Sequence, residues 1–151
     1  MRISFDLDDT LILKTVDGGY DESLPPLKRS YVEERLRKGT RDLMTILAER
    51  GCEIWIYSNS YRGKSDLMEW FKQCGLPIAN VVNQQIHDMK CTEASLQSSR
   101  PGKFPNWFGI DVHVDDSADL EEIASAEGFK LVRVSPSDAN WVSTILAAID
   151  T

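Results

Sequence analysis

Short apolar runs alternate along the chain with stretches whose apolar residues recur at helical spacing, and this alternation predicts an α/β domain on a largely parallel sheet. Arg2–Phe5, Glu53–Tyr57, Asn80–Asn83, Asp111–Val114 and Lys130–Val134 read as strands, short and rich in β-branched or aromatic residues. Thr40–Arg50 sets Leu43, Met44, Ile46 and Leu47 at helical spacing and stops at Gly51; Ser65–Cys74, with Leu67, Met68, Trp70 and Phe71, stops at Gly75. Ala118–Glu127 ends at Gly128, and Ala139–Ile149 carries Trp141, Val142, Ile145, Leu146 and Ile149 on one side. Such stripes are core faces.

Two stretches break the pattern. Residues 11–38, with the turn signals Asp17-Gly18-Gly19 and Pro25-Pro26, form a flap-sized insertion with room for a hairpin. Residues 82–105, which hold His87, Lys90, Cys91, Ser98, Ser99, Arg100, Pro101 and Gly102, show little periodicity and read as a long irregular loop.

A chain of 151 residues, 42% hydrophobic and 27% charged, fits one domain spanning 1–151. Lys and Arg total 17 against 24 Asp and Glu, a formal charge of -7 that argues against a grip on nucleic acid. A phosphorylated small molecule stays compatible, because a bound cation and a lysine reverse the field locally. No run approaches the roughly 18 apolar residues of a membrane span. With Met1-Arg2 leading straight into a strand, the expected location is the cytoplasm. Cys52, Cys74 and Cys91 are odd in number and widely spaced, so reduced, partly buried thiols are expected.

The chemistry gathers at strand ends. Asp6, Asp8 and Asp9 follow the first strand, Ser58 and Asn59 the second, and Asp115 and Asp116 the fourth. These are carboxyl ends of parallel strands, where open α/β sheets bind ligands. If the strands are neighbours, several carboxylates share one space, which is unfavourable without a proton or a hard cation. All-oxygen ligands point to magnesium, which binds through one or two carboxylates, waters and a substrate phosphate.

Three segments carry a family resemblance. Ile3-Ser4-Phe5-Asp6-Leu7-Asp8-Asp9-Thr10-Leu11 resembles the first motif of the haloacid-dehalogenase (HAD) superfamily, an apolar strand followed by Asp-x-Asp-x-Thr. Ile54-Trp55-Ile56-Tyr57-Ser58 resembles its second motif, and His113-Val114-Asp115-Asp116-Ser117 its fourth, in the family's order. The resemblance implies a Rossmann-like three-layer α/β/α fold with a central parallel sheet of about five strands. It also implies a small uncapped phosphatase, because neither insertion has room for a large cap domain.

The activity implied by the resemblance is a magnesium-dependent hydrolysis of phosphate monoesters. Asp6 is the nucleophile that forms an aspartyl-phosphate, and Asp8 is the general acid and base, a role that calls for a raised carboxyl pKa. Mg2+ is held by the Asp6 carboxylate, the Asp8 main-chain carbonyl and Asp116, while Asp115 braces a ligand or reaches the ion through water. Ser58 and Asn59 bind the phosphoryl group. Either Lys103 or Lys90 supplies the third-motif lysine, with Lys103 preferred for its Gly-Lys-x-Pro loop setting. The expected substrate is a phosphorylated small molecule or a phosphoprotein. An uncapped site would be enclosed by loops, by the substrate or by a second copy in a homo-oligomer.

Other residues have plainer readings. His113 is expected to pair within its strand's layer, and His87 to be solvated in the loop. Arg62, Lys64 and Arg100 are within reach of a substrate anion from the loops. The rival functions are a receiver-like signalling domain, disfavoured because Val81-Val82-Asn83 offers no Asp, and a module that binds magnesium and phosphate without turnover.

Overall fold

A computed structural model describes residues 1–14, 19–29, 31–93 and 102–151. The turn signal at Asp17-Gly18 and residues Ser98, Ser99, Arg100 and Pro101 lie outside the described residues. Among the described residues, seven strands and five α-helices alternate: β1 (Arg2–Phe5), β2 (Leu27–Arg29), β3 (Val32–Glu34), α1 (Thr40–Glu49), β4 (Glu53–Tyr57), α2 (Lys64–Gln73), β5 (Ile78–Val82), α3 (Gln84–Glu93), β6 (Val112–Asp115), α4 (Glu121–Glu127), β7 (Lys130–Arg133) and α5 (Trp141–Ile149).

The main sheet has five parallel strands in the order β5-β4-β1-β6-β7, flanked by helices in a three-layer Rossmann-like fold. β1 lies in the middle, with Phe5 level with Ile56 on one side and Val114 on the other. The chain winds outward from β1 through β4 to β5, then returns to β6 and winds the other way. The strand order therefore reverses at β1, and the crevice beyond its carboxyl end is where such sheets bind ligands.

The two faces of the sheet differ. Alternate residues Ile3, Phe5, Ile54, Ile56, Val112 and Val114 meet α1, α2 and α5 in the main core, which includes Leu43, Leu47, Trp70, Phe71, Trp141 and Ile145. Opposite parity puts Ser4, Tyr57 and His113, all with no measurable exposure, on the other face. There Tyr57, Val82 and Ile110 pack with Trp55, Ile86 and Phe108. That second layer is partly polar, and both histidines of the chain lie in it.

The expectation of an irregular stretch over 82–105 is corrected: Gln84–Glu93 is helical, started by the Asn83 side chain, whose Oδ1 accepts the Ile86 N–H at 3.0 Å. The inward face of α3 is His87 and Cys91, residues too polar or small to register as an apolar stripe. His87 is correspondingly buried, not solvated, and its Nδ1 lies 2.6 Å from the Tyr57 hydroxyl. The helix expected over Ala118–Glu127 begins as a 3-10 turn at Ala118–Leu120 before α4.

The insertion after β1 contains the antiparallel hairpin β2–β3. Its base is closed by a bridge between Tyr20 and Arg37, with Leu24 and Leu36 buried in the main core. Arg37 is a bolt: its guanidinium donates to the carbonyls of Thr10, Ser135, Pro136 and Asp138 and lies over the Trp141 ring. All three cysteines are free thiols, and among the described residues no helix is long and apolar enough to cross a membrane.

Candidate active site

The crevice at the carboxyl ends of β1 and β6 brings residues 6 and 115–116 together. Asp6, Asp115 and Asp116 each offer a carboxylate oxygen within 4.8 Å of the others, so the three could hold a metal ion. Lys103 enters the cluster from the segment before β6, its Nζ donating to Asp6 Oδ1 at 2.9 Å and to Asp115 Oδ2 at 2.6 Å. The lysine side chain is only 4% exposed, so this is a buried ion pair. Gly102, just before it, has φ of +93° and lies so close to Ile123 that an added Cβ would come within 2.4 Å of it. Lys90 is elsewhere: it sits on α3, pairs with Glu93 and lies over the Phe108 ring.

Three carboxylates against one ammonium leave an excess of negative charge, and the ionisation of the group shows it. Burial pushes the Asp6 carboxyl up to about 7, with Lys103 opposing and Asp115 and Asp116 adding to the rise. Asp116 is raised too, by burial and by its neighbour Asp115. Asp115 goes the other way: burial works against its ionised form, but hydrogen bonding from His113 and the Lys103 charge hold it well below the usual carboxylate range. It also accepts the Ser117 N–H at 3.0 Å. A hard divalent cation matches this set of oxygen donors and its surplus charge.

Asp8 does not join the trio through its side chain. Arg62 holds its carboxylate with two hydrogen bonds, of 3.0 and 2.8 Å, and the Arg62 hydrogen bonds lower the Asp8 pKa. The expectation of a raised carboxyl at Asp8 is thus corrected; the raised ones are Asp6 and Asp116. A metal-binding role through the Asp8 main-chain carbonyl is independent of this pairing. The turn that aims these residues has its amides tied back to Leu7, as Thr10, Leu11 and Ile12 all donate to that carbonyl, and Asp9 takes the left-handed φ of 63°.

Arg62 is itself preorganised. Asn83 Nδ2 donates to its carbonyl at 3.1 Å, and Glu34 on β3 accepts from its Nε at 3.0 Å and Nη2 at 2.5 Å. Arg29 donates to the same Glu34, so alternating charges run from the hairpin to Asp8. A groove of about 450 Å3 opens beside Arg62 between the hairpin and α2, lined by Arg29, Asp66, Glu69 and Trp70 among others.

Ser58 follows β4 and is buried, its Oγ donating to Ser60 Oγ at 3.1 Å, whereas Asn59 is exposed at the same strand end. Lys64 begins α2 and is exposed. His113 stands between Ser4, whose Oγ is 2.7 Å from Nδ1, and Asp115, whose Oδ2 is 2.8 Å from Nε2; burial pushes its pKa down to about 4. Glu34, Ser4 and Tyr57 carry no local signal as site neighbours. Only the register, which sets Ser4 level with His113, and the fold of the hairpin bring them in.

No protein-family model and no curated protein sequence matches the chain. Among solved structures, the chain is similar to the crystal structure of a hypothetical protein from Xanthomonas campestris, with a TM-score of 0.51 and 13% sequence identity over 97% of this chain and 81% of that one. At that identity the likeness shows the fold alone.

Proposed function

We propose that this chain is a magnesium-dependent phosphatase of the HAD type that hydrolyses a phosphate monoester through an aspartyl-phosphate on Asp6. The observation that carries the reading is the Lys103 ammonium bridging Asp6 and Asp115 in a three-carboxylate cluster at the sheet's switch point. In this reading Asp6, Asp116 and the Asp8 carbonyl hold Mg2+, which when bound neutralises the cluster and the phosphoryl oxygens. The Asp6 carboxylate attacks phosphorus, the bond to the leaving oxygen breaks, and that oxygen takes a proton from Asp8; Asp8 then removes a proton from the water that releases phosphate. Among the described residues Lys103 donates to Asp6 and Asp115, and its third N–H would serve a phosphoryl oxygen, with Ser58 and Asn59 on the adjacent strand end.

The Arg62 pairing suits the base half of the Asp8 role, because it favours the ionised carboxylate, and opposes the acid half until Arg62 lets go. The same pairing favours a second reading, a module that binds magnesium and phosphate without turnover. Steady release of phosphate from a panel of aryl and alkyl phosphates with Mg2+ supports the first reading, and its loss in Asp6→Asn with the fold retained assigns the chemistry to Asp6. Turnover unchanged in Asp6→Asn would sink the mechanism, and magnesium and phosphate binding with no turnover on any ester would favour the binding module.

A further inference from the structure

Both histidines are buried, and one of them is joined directly to the acidic cluster. His113 lies on β6 with no measurable exposure, level with Ser4 on β1 and walled by the Tyr57 ring at 5.9 Å between centroids. Its two ring nitrogens have different partners. Nε2 is 2.8 Å from Asp115 Oδ2, an oxygen that also accepts from Lys103 and is a pure acceptor when ionised, so Nε2 must carry the proton. Nδ1 is then the acceptor and takes the Ser4 Oγ–H across 2.7 Å. Hydrogen bonds on both sides thus fix one tautomer and one ring orientation.

The consequence reaches the nucleophile. Asp115 accepts from His113 and Lys103 at Oδ2 and from the Ser117 N–H at Oδ1, which pins the plane of its carboxylate. The pinned carboxylate fixes the Lys103 ammonium, and the ammonium fixes Asp6 Oδ1. We infer that His113 is a positioning residue: oriented by Ser4, its Nε2–H holds Asp115, and through Asp115 it aims Lys103 at the Asp6 carboxylate. Where the phosphatase reading holds, this aim sets the direction of the third Lys103 N–H toward the phosphoryl group. Partners that stand behind the groups of such a site typically change affinity or activity about 10–100-fold when removed.

The test has an arm that needs no turnover. In uniformly 15N-labelled wild type, whose two imidazoles make assignment simple, His113 shows its proton on Nε2. The buried Lys103 gives a slowly exchanging 15Nζ–1H signal that disappears in His113→Leu and returns in His113→Gln, whose amide nitrogen replaces the Nε2–H donor. With an aryl phosphate and Mg2+, His113→Leu that is folded by circular dichroism lowers kcat 10–100-fold with KM within about threefold, and His113→Gln recovers to within about fivefold of wild type. Ser4→Ala leaves the ring and gives the smaller loss. A proton on Nδ1, or a Lys103 signal unchanged in His113→Leu, overturns the inference, as does wild-type kcat in that variant. Wild type without turnover on any ester would remove the phosphatase reading alone, and the Nζ signal would still decide whether His113 aims Lys103.

Discussion

Replacing Lys103 by Met keeps most of the apolar stem and removes the ammonium from between Asp6 and Asp115. At the observed 2.9 and 2.6 Å, an effective dielectric of 20 makes the two attractions worth about 6 kcal/mol each. Most of that is offset by the desolvation of a lysine that is 4% exposed. What remains in the variant is the buried pair Asp6 and Asp115 without the ammonium between them, and removing one partner of a buried pair typically costs roughly 3–5 kcal/mol. The pH dependence is set by Asp6, which stands at about 7 with Lys103 in place and moves higher without it, since Lys103 is what lowers it. A raised folded-state pKa makes its stability contribution complete below the unfolded value near 3.8, lost progressively as pH rises through the folded one. Between the wild-type Asp6 pKa of about 7 and the higher one expected without Lys103, the variant would keep a proton that wild type releases, so the gap between the proteins should widen by up to about 1.4 kcal/mol per pH unit. Urea unfolding at pH 6, 7, 8 and 9 with chelator present measures the gap, and millimolar Mg2+ should narrow it. A gap below about 1 kcal/mol at pH 8, or one flat from pH 6 to 9, would show that Lys103 does not hold the Asp6 and Asp115 carboxylates together.

Arg62→Ala should cost about 2 kcal/mol at pH 7, because it strips charged hydrogen bonds from Glu34 and Asp8, the latter half exposed and so the lesser part. Arg62 holds Asp8 below the ordinary carboxylate range, so that part of the stability is present above about pH 4 and lost as pH falls through the lowered value; a wild-type advantage in acid unfolding that grows below pH 4 would contradict the pairing. Glu34→Gln should loosen the same clamp by a smaller amount, read as faster amide exchange in β2–β3, with unchanged protection counting against it. Arg37→Leu leaves four carbonyls without their guanidinium and should lower stability by about 3 kcal/mol whether or not Mg2+ is present; a loss under 1 kcal/mol in urea unfolding would show that water replaces it.

The strands and helices were legible where one residue type dominated a period. β1 and β4 needed only their short apolar runs, and α1 its apolar spacing and the stop at Gly51. α3 escaped because its buried face is His87 and Cys91, so burial there depends on Tyr57 across the interface and not on hydrophobicity. Asp6, Asp115 and Asp116 could be placed at strand ends from the sequence because a parallel sheet delivers all its carboxyl ends to one edge.

Local sequence settles the runs of the parallel sheet, the acidic strand ends and the charge imbalance, since each depends on neighbours within a few residues or on composition. The choice between Lys103 and Lys90, the capture of Asp8 by Arg62 and Glu34, and the line from Ser4 through His113 to Asp115 depend on strand register and on the path of the hairpin. Those contacts join residues up to 109 positions apart, and at such separations only the packed chain decides which polar groups meet.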